Sequence, residues 1–369
     1  MHILTVSNYA PPYGGGIQFV IANMTRVLVA HGHRVTLLAA DTGIPRGRST
    51  WEGADRIGLP ASNVLERRSV PLPLFDPIAL WRTLDGLLPT VDVVHVHGML
   101  YLDCVLTALR GRRHGVGVIL TEHVGMVPYS TAFLRIAQRA AIASLGRLCV
   151  RACDAVVVLN ERVAAEMRPL MRRDAALVTI PNGVDRALFY PPTDRAALRA
   201  QLGLTRPTLL FAGRLAEKKG VPLVLEAARH LSDCDVVICG QDTERLIGTA
   251  LADNVRVIGK VDQPTLARWQ GAADALILPS EGEGFPLVVQ EALACGTPVI
   301  VTDDATNRAY LDERVAVFVP RDADAIAHAA GLLLHDEARL HAMREAARSG
   351  AHGGWDATVA AYMRLYHGF

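Results

Sequence analysis

Glu283 and Glu291 stand eight positions apart in the run Asp274-Ala-Leu-Ile-Leu-Pro-Ser-Glu-Gly-Glu-Gly-Phe-Pro-Leu-Val-Val-Gln-Glu-Ala-Leu-Ala-Cys-Gly296. Carboxylates accept hydrogen bonds from paired hydroxyls. On either side of Glu283, Gly282 and Gly284 let the backbone approach a ligand closely, and the first turn of a following helix favours an anion. Carboxylates beside an anion-binding turn are out of place for phosphate alone; they fit a sugar on one side and a ribose on the other. A second group is basic. The sequence holds 35 Arg but only three Lys, Lys218, Lys219 and Lys260, so the lysine pair in Gly213-Arg-Leu-Ala-Glu-Lys-Lys-Gly220 stands out against an arginine-rich background. Arg214 and Lys219 suit the neutralisation of a diphosphate as it becomes a leaving group. A third candidate is His123, which follows Thr121-Glu122 and could hydrogen-bond a sugar hydroxyl or a departing oxygen. His95 and His97 take no assigned role. The last is the glycine run Tyr13-Gly-Gly-Gly-Ile-Gln18, in which Gly15 and Gly16 precede a helix and leave its N–H groups open to an oxygen.

These residues need elements to hold them. Residues 274–279 predict a buried strand and 286–295 a helix, with Pro286 at its first position and Gly296 as its stop. Glu283 then lies in the turn, and Glu291 about a turn and a half into the helix. Short apolar runs alternate with helix-length segments along the whole chain. They predict strands at 2–7, 34–39, 91–96, 118–121, 154–159 and 177–180 in the first half, and at 208–212, 236–239, 255–258, 275–278, 299–301 and 315–319 in the second. Continuous Val/Ile/Leu runs mark parallel strands covered on both faces. The fold class is therefore α/β, with two doubly wound Rossmann-like domains.

At 369 residues the chain fits two domains. The turn cluster Pro181-Asn-Gly-Val-Asp185 and Phe189-Tyr-Pro-Pro192 places the boundary near 190. Residues 1–190 form an N-terminal domain and 191–352 a C-terminal one, and the amphipathic segment 353–369 is expected to pack back on the first. The six cysteines make no Cys-x-x-Cys pair and read as reduced, buried thiols of a cytoplasmic protein. No basic residue precedes Arg26, unlike a signal peptide, and the charge-free stretch 3–25 is broken by prolines and glycines, so it cannot span a bilayer. Charge is unevenly spread. Residues 1–180 hold 19 Arg against 13 acidic residues, whereas the remainder is acidic, which points to an anionic partner for the first half.

Taken in order, the motifs resemble those of retaining glycosyltransferases of the GT-B fold, in particular family 4. They are Gly15-Gly16-Ile17, Thr121-Glu-His123, Ile180-Pro-Asn-Gly-Val-Asp185, Gly213-Arg214 with Lys219-Gly220, and Glu283-Gly-Phe-Pro-Leu-Val-Val-Gln-Glu291 leading to Gly296-Thr-Pro-Val-Ile300. The resemblance covers essentially the whole chain and implies two domains facing across a cleft. It implies that Glu291 holds the ribose of a nucleotide-sugar, and that Glu283 with the backbone N–H groups of Gly284, Phe285, Pro286 and Leu287 meets the sugar ring and phosphate. Arg214, Lys219, Gly15 and Gly16 would bind the diphosphate, and His123 the donor sugar near its 6-position. The implied catalytic set is His123, Arg214, Lys219 and Glu283. The implied reaction moves a hexose-type sugar to a hydroxyl of a glycan, lipid-linked or small-molecule acceptor. It needs no metal and no cofactor beyond the nucleotide-sugar donor, and no nucleic acid partner. Pro286 stands where many members have Gly, and Cys239-Gly-Gln-Asp-Thr243 replaces the usual Gly-x-Gly-Pro, so the base stays open.

Residues 133–151 carry Arg135, Arg139, Arg147 and Arg151 among apolar positions. This pattern fits a peripheral contact with an anionic membrane surface at the cytoplasmic face. Two rivals share the architecture. An NAD(P)-dependent oxidoreductase requires a third glycine where Phe19 stands, and a nucleotide-sugar 2-epimerase would carry different loops after the same strands.

Overall fold

Runs of Val, Ile and Leu exclude water from both faces of a strand, and in this chain they build two separate sheets. The computed structural model describes residues 1–13, 15–64, 73–126, 131–242, 244–248, 251–350 and 353–369. Gly14 of the glycine run, Thr243 and residues 351–352 lie outside the described residues. The chain divides into two compact units, Met1–Asn182 with Trp355–Phe369, and Gly183–Gly354. The division falls ahead of position 190 because Val184 bridges to Gly354, and Phe189 packs with Ala294 and Cys295 in the second unit.

The first unit contains β1 (His2–Val6), α1 (Gly16–Ala30), β2 (Arg34–Ala40), β3 (Gly47–Trp51), β4 (Ala54–Leu59), β5 (Ala61–Ser62), β6 (Leu74–Phe75), α2 (Pro77–Leu87), β7 (Val93–His97), α3 (Leu102–Arg113), β8 (Gly117–Glu122), α4 (Ala132–Ala141), α5 (Arg147–Ala152), β9 (Ala155–Val158), α6 (Glu161–Met167) and β10 (Ala176–Thr179). Its main sheet runs β10-β9-β8-β7-β1-β2-β4-β3. All pairs are parallel except β3 with β4. The six predicted strands are present. Strands β3 and β4 escaped prediction because β3 is a polar edge strand and Arg56 interrupts β4. Arg56 is nevertheless buried, donating to Pro11 O at 2.8 Å and Ser49 Oγ at 3.1 Å.

The second unit contains α7 (Arg195–Gln201), β11 (Thr208–Ala212), α8 (Val221–Ala228), β12 (Asp235–Cys239), β13 (Val255–Gly259), α9 (Gln263–Ala272), β14 (Ala275–Leu278), α10 (Leu287–Ala294), β15 (Val299–Thr302), α11 (Ala305–Tyr310), β16 (Ala316–Val319), α12 (Ala323–Leu334) and α13 (Glu337–Ser349). The sheet order is β13-β12-β11-β14-β15-β16, parallel throughout. Asp274, just before β14, ties the base of this unit together. Its carboxylate accepts from Arg195 (2.8 Å), Arg199 (2.9 Å), Arg344 (2.6 Å) and the Thr208 N–H (2.8 Å). Burial alone would raise its pKa, but the arginines and the N–H hold it below the ordinary carboxylate range.

The last helix, α14 (Trp355–Tyr366), belongs to the first unit. Two buried tyrosines dock it: Tyr362 OH meets Thr121 Oγ1 at 3.0 Å and Tyr366 OH meets His95 Nδ1 at 2.8 Å. Burying each ring contributes roughly 2–3 kcal/mol, and the hydroxyls stay satisfied.

Candidate functional site

Open parallel sheets take ligands at the carboxyl ends of their strands, where the strand order reverses. In the second unit that reversal lies between β11 and β14, and in the first between β1 and β7. The loops leaving β11 and β14 are 213–220 and 279–286, which carry Arg214, Lys219 and Glu283.

These two loops are locked to each other. Gly220 adopts φ +79°, and a Cβ there would lie 2.5 Å from Pro279 O, so only glycine lets the loops approach so closely. The Glu281 N–H donates to Lys218 O at 2.9 Å. Arg321, just ahead of α12, clamps both loops: it donates to Pro279 O (3.1 Å) and Glu217 O (3.4 Å) and pairs with the Glu281 carboxylate. Lys219 Nζ consequently sits 3.0 Å from Glu283 Oε2, with Lys218 Nζ 3.9 Å from Oε1. Burial lowers the Lys218 pKa; Glu283 pulls it up, while Lys219 and Arg214 push it down. Lys218 and Lys219 both pair with Glu283, and Arg214 and Glu244 also act on Lys218, so three cations stand against two carboxylates, a surplus of positive charge that an anion would relieve. Arg214 is exposed.

The helix that begins here is left open. Among the described residues, seven helices start on an Asp or Asn whose side chain caps the first turn: Asp76, Asn160, Asp194, Asp262, Asp304, Asp322 and Asp336. Helix α10 starts on Pro286 and α1 on Gly15, neither with a side-chain cap. With no side-chain cap, the macrodipole at each of these two helix starts favours an anion; in α10 the Val289 N–H already donates to Pro286 O at 3.1 Å. Pro286 is the residue before the helix rather than its first position, because ψ of 127° keeps it extended. It also has no N–H, so the donors in the run 284–287 reduce to Gly284, Phe285 and Leu287. Phe285 stacks on Tyr310 at 4.3 Å, and Thr302 Oγ1 donates to Ser280 O at 2.8 Å, which fixes both ends of the turn. Glu291 is buried on α10. Burial pushes its carboxyl up to about 8, against a hydrogen bond from Gln270 that lowers it.

In the first unit, Gly15 and Gly16 are exposed at the start of α1. Buried Gln18 packs under them, its Oε1 2.5 Å from where a Gly15 Cβ would be. His123 lies just past β8. Its loop is pinned by buried Glu122, whose carboxylate accepts from the N–H groups of Met99 (3.1 Å), Val124 (3.3 Å) and Gly125 (3.2 Å). His123 Nε2 lies 3.0 Å from His97 Nδ1. Burial lowers the His123 pKa to about 4, so the ring is neutral near pH 7. Arg321 and Gln270 were not singled out from the sequence; Lys218 was named with Lys219 and Glu122 with His123, and His97 had no assigned role. The retained lysine pair was the signal for Lys218; Arg321 had none, because its contacts cross a long stretch of chain.

Farther along, α4 continues through a π-helical turn, Ile142–Gly146, into α5. No residue of α4 is buried, and Phe133 (78% exposed) and Ile136 (66%) stand in solvent with Leu134 and Leu148. Among the described residues no helix is long and apolar enough to cross a membrane.

Two Rossmann-like α/β domains with these sheet orders are the GT-B fold. Residues 194–350 match the family described as Glycosyl transferases group 1, and residues 14–188 match Glycosyltransferase Family 4. D-inositol 3-phosphate glycosyltransferase 1 of Catenulispora acidiphila is 31% identical over 306 residues, covering 74% of this chain and 72% of that protein. The D-inositol 3-phosphate glycosyltransferase of Xylanimonas cellulosilytica is 36% identical over 239 residues. That match covers 59% of this chain and 57% of the relative, less than two thirds of its length. The structure of Anabaena HepE in complex with UDP and glucose superposes with a TM-score of 0.75 at 16% identity, covering 100% of this chain and 99% of that one, a likeness of fold. The chain belongs to glycosyltransferase family 4, the group 1 glycosyl transferases.

Proposed function

We propose that this chain transfers a hexose-type sugar from a nucleoside-diphosphate sugar to an acceptor hydroxyl, with retention at the anomeric carbon. The observation that carries the reading is the pairing of Lys218 and Lys219 with Glu283, with Arg214 also acting on Lys218, beside the uncapped start of α10. A diphosphate supplies the charge that this cluster lacks. Glu291, one turn inside the helix, is assigned the ribose hydroxyls. Glu283 and the Gly284, Phe285 and Leu287 N–H groups are assigned the sugar ring and phosphate. In the first unit, Gly15 and Gly16 are assigned a phosphate oxygen and His123 a sugar hydroxyl.

The chemistry follows from those assignments. The bond from the anomeric carbon to the diphosphate oxygen breaks while the acceptor oxygen bonds to the same face, and the acceptor's proton passes to the departing phosphate oxygen. No protein nucleophile is needed. The cations and helix dipole stabilise the diphosphate as charge builds on it, and the side chains of the chain do this without a metal. UDP in HepE supports a uridine diphosphate donor as the first to try.

The acceptor is assigned to phosphate-bearing hydroxyl compounds, lipid-linked or small. The relatives named for D-inositol 3-phosphate and the arginine surplus of the first half support this. The α4 face is assigned an anionic membrane surface. Arg135 and Arg139 share α4 with the exposed Phe133 and Ile136, Arg147 and Arg151 share α5 with the exposed Leu148, and no acidic residue occurs between Glu122 and Asp154. Sedimentation with anionic liposomes at low and moderate salt tests that assignment, and absence of pelleting in both removes it.

A thermal-shift panel of UDP-, GDP- and ADP-sugars tests the main reading, since a bound donor raises the melting point. In transfer assays with the stabilising donor, Lys219→Ala and Glu291→Ala should each lower turnover about a hundredfold, roughly 3 kcal/mol of transition-state stabilisation. No shift with any donor, or unchanged turnover in either variant, contradicts the proposal.

A further inference from the structure

We propose that His97 is a positioning residue that holds His123 in the tautomer with its proton on Nδ1. The inference rests on the reading of His123 as a contact to the donor sugar. His97 ends β7 and His123 follows β8, and the strand register sets His97 opposite Thr121, so the two rings stack at 5.3 Å with an interplanar angle of 19°. The 3.0 Å separation of His97 Nδ1 and His123 Nε2 is a hydrogen bond that one proton makes. Both rings are fully buried, which keeps both neutral.

Two arrangements remain. If His123 Nε2–H donates, His97 must carry its own proton on Nε2. That atom is buried and meets no partner among the described residues, so an N–H there would be an orphaned donor. If His97 Nδ1–H donates instead, its Nε2 is a bare acceptor. Buried N–H groups without an acceptor are rare, and an unused lone pair is the cheaper defect. The second arrangement therefore prevails, and with Nε2 of His123 accepting, its proton resides on Nδ1. Nδ1 is then the nitrogen left to meet a ligand, and it presents a donor to an acceptor oxygen on the sugar. His97 cannot readily turn away. The His95 ring lies 4.1 Å from it and is itself fixed at both nitrogens, by Tyr366 OH at 2.8 Å and Thr121 Oγ1 at 2.7 Å.

The test is a long-range 1H–15N spectrum of the full chain labelled with 15N-histidine at pH 7, recorded for wild type, His97→Phe and His97→Asn. Wild-type His123 should show a protonated Nδ1 and a pyridine-like Nε2. Phenylalanine should shift His123 toward the Nε2–H form and lower kcat/KM by roughly tenfold or more, as loss of an orienting partner does elsewhere. Asparagine places an amide donor near the position of Nδ1 and should restore both the Nδ1 tautomer and most of the rate. A proton on Nε2 in wild type, or a tautomer indifferent to His97→Phe, overturns the inference. A tautomer that responds as described while turnover stays unchanged upholds the role of His97 and instead removes His123 from the sugar site.

Discussion

Glu291→Gln should make the free protein more stable while making it a poorer enzyme. Burial pushes the Glu291 carboxyl up to about 8 from an ordinary 4.5. Between those values the folded chain holds a proton that the unfolded chain releases. The contribution to stability is therefore complete below about 4.5, falls as the pH rises through the window, and levels off above about 8. At 1.36 kcal/mol per pH unit, the loss by pH 7 is about 3 kcal/mol. Glutamine copies the shape of the protonated acid and never titrates, so the variant escapes this loss. Its advantage over wild type should be small at pH 5 and grow to about 3 kcal/mol at pH 7, roughly 6–12 °C in melting temperature for a domain of this size. Thermal or urea unfolding of both proteins at pH 5, 6, 7 and 8 measures the gap. A variant that melts at or below wild type, with a difference that does not grow with pH, refutes the reasoning.

Asp274→Ala strands Arg195, Arg199 and Arg344 without their shared carboxylate and should cost about 3–5 kcal/mol, read by urea unfolding. Because the Asp274 pKa is depressed, its contribution is full above the ordinary carboxylate value and fades as the pH falls through the lower folded value, so wild type and variant should converge only in strong acid. Arg321→Ala releases the clamp between loops 213–220 and 279–286 and should lower kcat/KM for the donor by about ten- to a hundredfold. Arg321→Lys should recover little, because one ammonium cannot replace the guanidinium fork, and steady-state kinetics of the two variants decides it.

Twelve strands were legible because parallel strands buried on both faces need unbroken apolar runs, as in Leu209-Leu210-Phe211 and Ala275-Leu-Ile-Leu278. Strand β4 was not, since its central Arg56 donates to Pro11 and Ser49, partners that no local pattern reveals. The loops after β11 and β14 were legible through their glycines and charges. Their pairing was not: β14 lies beside β11 by sheet order alone, and that adjacency brings Lys219 to Glu283. Arg321 escaped notice and His97 had no assigned role, because each acts on residues that only the sheet order brings near. The boundary near 190 followed a turn cluster, whereas the division follows Val184, which bridges to Gly354, and Phe189, which packs against the end of α10.

The central claim is that the loops around Lys219, Glu283 and Glu291 bind a nucleoside diphosphate. Titration calorimetry of UDP, GDP and ADP into wild type, Lys219→Ala and Glu291→Ala tests it most directly. One diphosphate should bind wild type without added metal and lose about tenfold or more in affinity in each variant. Failure of all three to bind, or equal affinity in all three proteins, contradicts the claim.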